Sequence, residues 1–140
     1  TGKTVPDDIG AIIETPGFLP NYSGFRNLKF LATLRGRIKD AEIRKAMQQV
    51  GLDPESRKHV GKYSLGMRQR LGIAQAIMEN PQILILDEPF NGLDKTGVLQ
   101  MRKLLKEIKM QGKAILLASH NAADIEELCD EVHEMEEAWK

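Results

Sequence analysis

Residues 63–94 read YSLGMRQRLGIAQAIMENPQILILDEPFNGLD, and three devices follow one another in them. Ser64 stands just ahead of an apolar pattern, Met67, Leu71, Ala74 and Ile77, that recurs on one face at helical spacing from Gly66 onward. Serine there caps a helix, because its oxygen accepts from a backbone N–H that the first turn leaves without a partner. Asn80-Pro81 ends the helix, since proline has no N–H to donate. Ile83-Leu84-Ile85-Leu86 is apolar without alternation, as in a strand covered on both sides within a parallel sheet. It runs into two adjacent carboxylates, Asp87 and Glu88, and then Pro89. Asn91-Gly92 is tight-turn chemistry, and Asp94 can cap the helix that follows.

Working outward, Val98, Met101, Leu105 and Ile108 mark an amphipathic helix that ends near Gly112, and residues 114–118 (AILLA) read as a second doubly buried strand. Strand, helix and strand make a βαβ unit. A short helix with Ala123, Ile125 and Leu128 inward and a last strand at 132–135 complete the downstream side. Upstream, residues 9–13 (IGAII) form a short buried strand leading to Glu14, and two prolines and a glycine make residues 15–23 a surface loop. Ser23 caps a helix with Phe25, Leu28, Leu31 and Leu34 on its apolar face and Gly36 at its end. Asp40 caps the next, with Ile43, Ala46, Met47 and Val50 inward and Gly51 as the stop. The expected architecture is α/β with a mostly parallel sheet. Residues 1–22 and 81–140 supply the α/β core, and residues 23–80 form an inserted helical subdomain.

In open parallel sheets ligands bind beyond the carboxyl ends of the strands. Three predicted strands end there in polar residues: Glu14, Asp87-Glu88 and Ser119-His120. One carboxylate of the adjacent pair suits Mg²⁺, a hard cation that prefers oxygen ligands. The other is placed to deprotonate a water for in-line attack on a phosphoryl group. The plain alternative for the pair is a solvated loop cap. The Ser64 turn has free N–H groups and the positive end of a helix dipole, which together make an anion site, although an ordinary serine cap has the same sequence. An imidazole at His120 could hydrogen-bond a terminal phosphate.

Twenty basic and twenty acidic side chains cancel, which removes any charge-based case for nucleic acid or anionic lipid as partner. No run approaches a membrane span, and no segment looks like a signal peptide. The single cysteine, Cys129, excludes an internal disulfide and fits a reducing compartment, so the chain reads as cytoplasmic.

Taken in order, the turn at 64–67, the strand ending in Asp87-Glu88, the turn at 91–94 and His120 resemble the signature helix, Walker B strand, D-loop and switch histidine of ATP-binding-cassette (ABC) ATPases. Arg68, Gln69, Arg70, Leu71 and Ala74-Gln75-Ala76 also sit as they do after the family's signature. The resemblance implies a P-loop NTPase (ABC ATPase) fold, with ATP and Mg²⁺ as ligands and a dimer of two ATP-binding subunits that encloses the nucleotide. It assigns Asp87 to Mg²⁺, Glu88 to the catalytic base and His120 to the terminal phosphate. Ser64, Leu65, Gly66 and Met67 would meet the nucleotide held by the opposite subunit, and Asp94 would lie along the dimer interface. Where the family writes LSGGQ this chain has YSLGM: Ser64 and Gly66 match, Leu65 and Met67 depart, and side-chain donation from the last position is lost. Glu14 stands where the family has a glutamine. A carboxylate there still ligates Mg²⁺ but adds negative charge beside Asp87 and Glu88. Residues 12–20 (IIETPGFLP) resemble the loop of exporters of antimicrobial peptides and peptide antibiotics. Phe18, Leu19 and Tyr22 then suit docking against a transmembrane permease, which would hold the protein on the inner face of the cell membrane; burial under their own loop is the other reading.

The family's glycine-rich phosphate loop is not found in the sequence. Thr1-Gly2-Lys3-Thr4 has the tail of one, yet Pro6, Asp7 and Asp8 follow, which is turn chemistry leading into a strand. The 140 residues alone are therefore expected neither to bind nor to hydrolyse ATP. The family's phosphate-loop strand, between the strand at 114–118 and the last one, would be missing, leaving unpaired edges. Two other readings remain at this point: a soluble ABC protein acting on ribosomes or DNA, and a non-catalytic ABC-like scaffold. The short helical insert and the neutral charge speak against the first.

Overall fold

Among the described residues, three parallel strands form the sheet: β1 (Ile9–Ile12), β2 (Ile83–Asp87) and β3 (Ala114–Ala118), hydrogen-bonded in that order. The computed structural model describes residues 17–119 together with the backbone of residues 9–12. Glu14, His120, Cys129, the turn expected at 1–4, the helix expected at 123–128 and the strand expected at 132–135 lie outside the described residues. Between β1 and β2 come three helices, α1 (Gly24–Arg35), α2 (Asp40–Gln49) and α3 (Leu65–Ile77). A fourth, α4 (Lys95–Met110), connects β2 to β3.

Local chemistry explains the helix ends. Ser23 Oγ accepts from Arg26 N (3.2 Å) to start α1, and Gly36 closes it at φ 67, a left-handed conformation that glycine adopts without steric cost. The start of α2 falls one residue earlier than expected: Lys39 is the cap, and Asp40 is the first helical residue, its negative charge matching the helix dipole. One apolar-face assignment also differs, and one buried residue was not expected. Leu34 is 83% exposed, whereas Asn27 in the same helix is buried. Asn27 is inside because it ties down the preceding loop. Its Oδ1 accepts from Leu19 N (2.7 Å), and its Nδ2 donates to the carbonyls of Leu19 (3.0 Å) and Ser23 (2.9 Å). A buried amide with partners on both ends has its desolvation offset by those hydrogen bonds, so it can sit in a core.

One core joins the helices to the sheet. Leu28, Ile43, Met47, Leu71, Ile73, Leu84, Leu86, Met101 and Leu105 are all essentially inaccessible to solvent. Each such side chain contributes about 1.5–3 kcal/mol by leaving water. Arg70 braces this core from its rim, donating to Val50 O (2.8 Å) at the end of α2 and to Gln100 Oε1 (2.9 Å) on α4.

The sheet corrects one expectation. The register pairs Leu84 with Ile115 and Leu86 with Leu117, and that face is packed against the core. The opposite face of β3 is open: Ala114 and Ala118 are exposed, and Leu116 is 60% exposed. Residues 114–118 are therefore not doubly buried. The strand lies at one side of the three-stranded order, and its outer face meets no covering element among the described residues.

Candidate functional site

The parallel register brings the strand ends to one edge. Ile12 is level with Leu86, and Asp87 is level with Ala118. Asp87 is exposed at that edge and Glu88 is half-buried. Beyond it, Pro89 and Phe90 turn inward, so the chain is anchored just past the carboxylates.

Glu88 has φ 48, in the left-handed region that a side chain with a Cβ enters at a cost. Its main chain is held from three directions. Glu88 N donates to Ala118 O (2.7 Å) on β3, and Glu88 O accepts from Asn91 N (3.2 Å) within the following turn. The same carbonyl accepts from Gln69 Nε2 (3.2 Å), which comes from α3. Gln69 is 5% exposed, and it and Asn27 are the buried polar side chains among the described residues.

The Ser64 turn is built against this strand end. Ser64 Oγ accepts from Met67 N (3.1 Å) to cap α3, and as a hydroxyl it keeps an O–H to donate. Arg68 holds the turn from behind through Nη1 to Tyr63 O (3.0 Å). Burial raises the Tyr63 phenol above its ordinary 10.0, with a backbone hydrogen bond at Gly24 working in the other direction. Leu65 lies over Gly92: a Cβ placed on Gly92 would stand 2.5 Å from Leu65 Cγ, and Gly92 has φ 83. A Cβ on Gly66 would come within 3.1 Å of Gly92 O. Leu65, one of the two residues that depart from the family's signature, is thus seated on the glycine of the turn at 91–94. Asp94 accepts from Gly97 N (2.7 Å) and caps α4.

Of the sequence-predicted site residues, Ser64, Leu65, Gly66, Met67, Asp87, Glu88 and Asp94 are described, and contacts of Leu65 and Gly66 with Gly92 bring the turns of Ser64 and Asp94 together. Glu14 and His120 lie outside the described residues. The sequence marks Gln69 only as one of the residues that follow the signature-like turn and gives it no role of its own. A second signal is its amide among the aliphatic residues of α3, off the helix's predicted apolar stripe.

The donor set can be tested against Mg²⁺. No group of three or more His, Cys, Asp or Glu residues that could hold a metal occurs among the described residues. Asp87, an exposed carboxylate at the end of β2, is an oxygen donor of the kind Mg²⁺ takes, and Mg²⁺ usually rests on one or two carboxylates and fills its shell with water and substrate phosphate oxygens. A cavity of about 350 Å³, lined in part by Lys45, Gln49, Asn80, Pro81, Gln111 and Lys113, opens at the other end of β2 and is no part of this site. No helix among the described residues is long and apolar enough to cross a membrane.

Comparison with known proteins gives a consistent answer. Residues 1–91 match the family model described as ABC transporter. The chain is 47% identical over 135 residues to the bacitracin transport ATP-binding protein BcrA of Enterococcus faecalis, covering 96% of this chain and 44% of that protein. It is 39% identical over 122 residues to the lantibiotic transport ATP-binding protein SrtF of Streptococcus pyogenes, covering 87% of this chain and 53% of that one. The chain thus spans about half the length of these relatives. Among solved structures, the dimeric bacterial ABC transporter cassette MJ0796 superposes with a TM-score of 0.77 at 21% identity, over 86% of this chain and 56% of that one.

Proposed function

The chain belongs to the ABC transporter family, and on that footing we propose that it is the signature-bearing and hydrolytic part of an ATP-binding subunit in a peptide-antibiotic exporter. The observation that carries the reading is the joining of two parts at one edge. The Ser64 turn rests on Gly92 through Leu65, and the helix it opens reaches Glu88 through Gln69. An anion-binding turn and a carboxylate pair joined in this way suit a reaction on a phosphoryl group. The relatives named for bacitracin and lantibiotic transport support the exporter assignment, over a ribosome- or DNA-acting protein or a scaffold.

In the complete protein, Asp87 and Glu14 would hold Mg²⁺, which would supply charge neutralisation on the phosphates. Glu88 takes the proton of the attacking water as general base. His120 hydrogen-bonds the terminal phosphate. The turn of Ser64, Leu65, Gly66 and Met67 faces the nucleotide held by a second subunit, with Ser64 O–H and the first N–H groups of α3 as donors. Asp94 lies along the contact between the two subunits. Leu65 packs in part against its own Gly92 and remains 45% exposed, so the turn presents both Ser64 and Leu65 outward. Residues 1–22 and 81–140 act as the core and residues 23–80 as the helical subdomain.

The permease contact falls on the loop before α1. Leu19 and Tyr22 are 48% and 41% exposed, and the guanidinium of Arg26 lies over the rings of Tyr22 and Phe30 (5.6 and 5.7 Å), giving an exposed aromatic patch that carries one positive charge. Through it the subunit sits on the inner face of the membrane. The decisive experiment is Glu88→Gln in the full-length protein. Phosphate release should fall by roughly 10²–10⁴-fold while ATP is still bound. Ordinary turnover would refute the role given to Glu88.

A further inference from the structure

We propose that Gln69 is a positioning residue, whose buried side-chain amide holds the main-chain carbonyl of Glu88, fixing where the carboxylate stands and tying it to the Ser64 turn. The inference deepens the proposed function and rests on Glu88 being the base.

Three observations support it. Glu88 has a positive φ and is followed by proline, which drives the residue before it towards extended backbone. Its conformation is therefore imposed by its surroundings rather than by local preference. Gln69 reaches Glu88 O across nineteen positions of sequence at 3.2 Å, and it is 5% exposed, so water does not readily replace it. The helix that carries Gln69 begins at Ser64, one turn and a half away. Without the amide, the carbonyl keeps the Asn91 N–H inside its own turn. The strand-to-turn junction can then relax towards the extended form, swinging the Glu88 Cβ and its carboxylate away.

The test uses the full-length protein and two substitutions. Gln69→Met keeps length and apolar bulk but has no donor. Its kcat should fall about ten- to a hundredfold, the penalty of ångström-scale misplacement, with KM for ATP within about twofold. Gln69→Glu keeps the shape but presents an acceptor to the carbonyl when ionised and a donor when protonated. Its kcat relative to the parent should therefore rise as pH falls from about 8 to about 6, since burial beside a carbonyl favours the protonated acid. A role in packing alone moves neither kcat at constant KM nor this pH ratio. If Gln69→Met fails to fold, the pH ratio within Gln69→Glu decides. Parent-like kcat in Gln69→Met, or a flat pH ratio in Gln69→Glu, overturns the inference. Glu88→Gln is the control. If it is inactive while Gln69→Met turns over normally, the inference alone fails; if Glu88→Gln itself turns over normally, the base assignment falls and the inference with it.

Discussion

Two Xaa-Pro steps bracket β2, Asn80-Pro81 before it and Glu88-Pro89 after it, and both residues before proline are left-handed, at φ 54 and φ 48. Proline disfavours that arrangement at both places. At the first, the occupant is asparagine, which tolerates the left-handed region, and its task is to pass the chain from α3 to the sheet: Asn80 N donates to Ile77 O (3.0 Å). At the second, the occupant is glutamate, which has no such tolerance and is held by hydrogen bonds from β3, α3 and its own turn. Four residues further on, Gly92 takes φ 83. Where only shape is needed, the chain uses asparagine or glycine. At Glu88, where the proposed function calls for a carboxylate, it keeps glutamate and a strain of about 1–3 kcal/mol, which the surrounding hydrogen bonds offset.

The largest expected effects separate chemistry from strain at Glu88. Glu88→Gly and Glu88→Ala both remove the carboxylate, so each should lower turnover of the full-length protein by roughly 10²–10⁴-fold. They should differ in stability. Glycine accepts the left-handed backbone and alanine does not, so urea unfolding should favour the glycine variant by about 1 kcal/mol. Equal stability of the two would show that Glu88 is not strained, and the contrast with Asn80 would collapse. At Gly92 the same substitution runs the other way. Gly92→Ala brings a Cβ to 2.5 Å from Leu65 Cγ at a positive φ, for an expected cost of about 1–3 kcal/mol. Leu65→Ala in the same molecule should recover part of that loss, read as a coupling energy in a double-mutant cycle. Strict additivity would remove Leu65 as the obstacle.

The bracketing of β2 was half legible in the sequence. Asn80-Pro81 and the Asp87-Glu88-Pro89 run announce where a helix stops and where a strand ends, because proline's missing donor and four aliphatic residues in a row act locally. The caps at Ser23, Ser64 and Asp94 were legible for the same reason: the serine or aspartate oxygen and the N–H it accepts from lie within one turn. Leu34 misled because helical spacing says which residues share a face but not how wide the partner surface is, and the burial there goes to Asn27, Leu28 and Ala32. For β3 the composition matched that of a doubly covered strand, yet coverage depends on neighbouring elements, and Leu116 lies open. Gln69 on Glu88 and Leu65 on Gly92 span nineteen and twenty-seven positions, distances over which no periodicity carries information.

The smallest expected effect lies at Asn80, and it tests the comparison from its quieter side. Asn80→Gly keeps the left-handed conformation without a Cβ, so stability should stay within about 0.5 kcal/mol of the parent, the relief at φ 54 being balanced by a more flexible unfolded chain. Asn80→Ala loses asparagine's tolerance and should cost about 1 kcal/mol. Neither should change kcat in the full-length protein, because the Asn80 side chain lies at the start of β2 and the carboxylates at its end. A drop in kcat for Asn80→Gly with stability preserved would mean that both brackets of β2 are tuned for the reaction. The distinction between a structural and a functional left-handed residue would then fail, because strand placement at its first residue would be setting the position of Glu88 at its last.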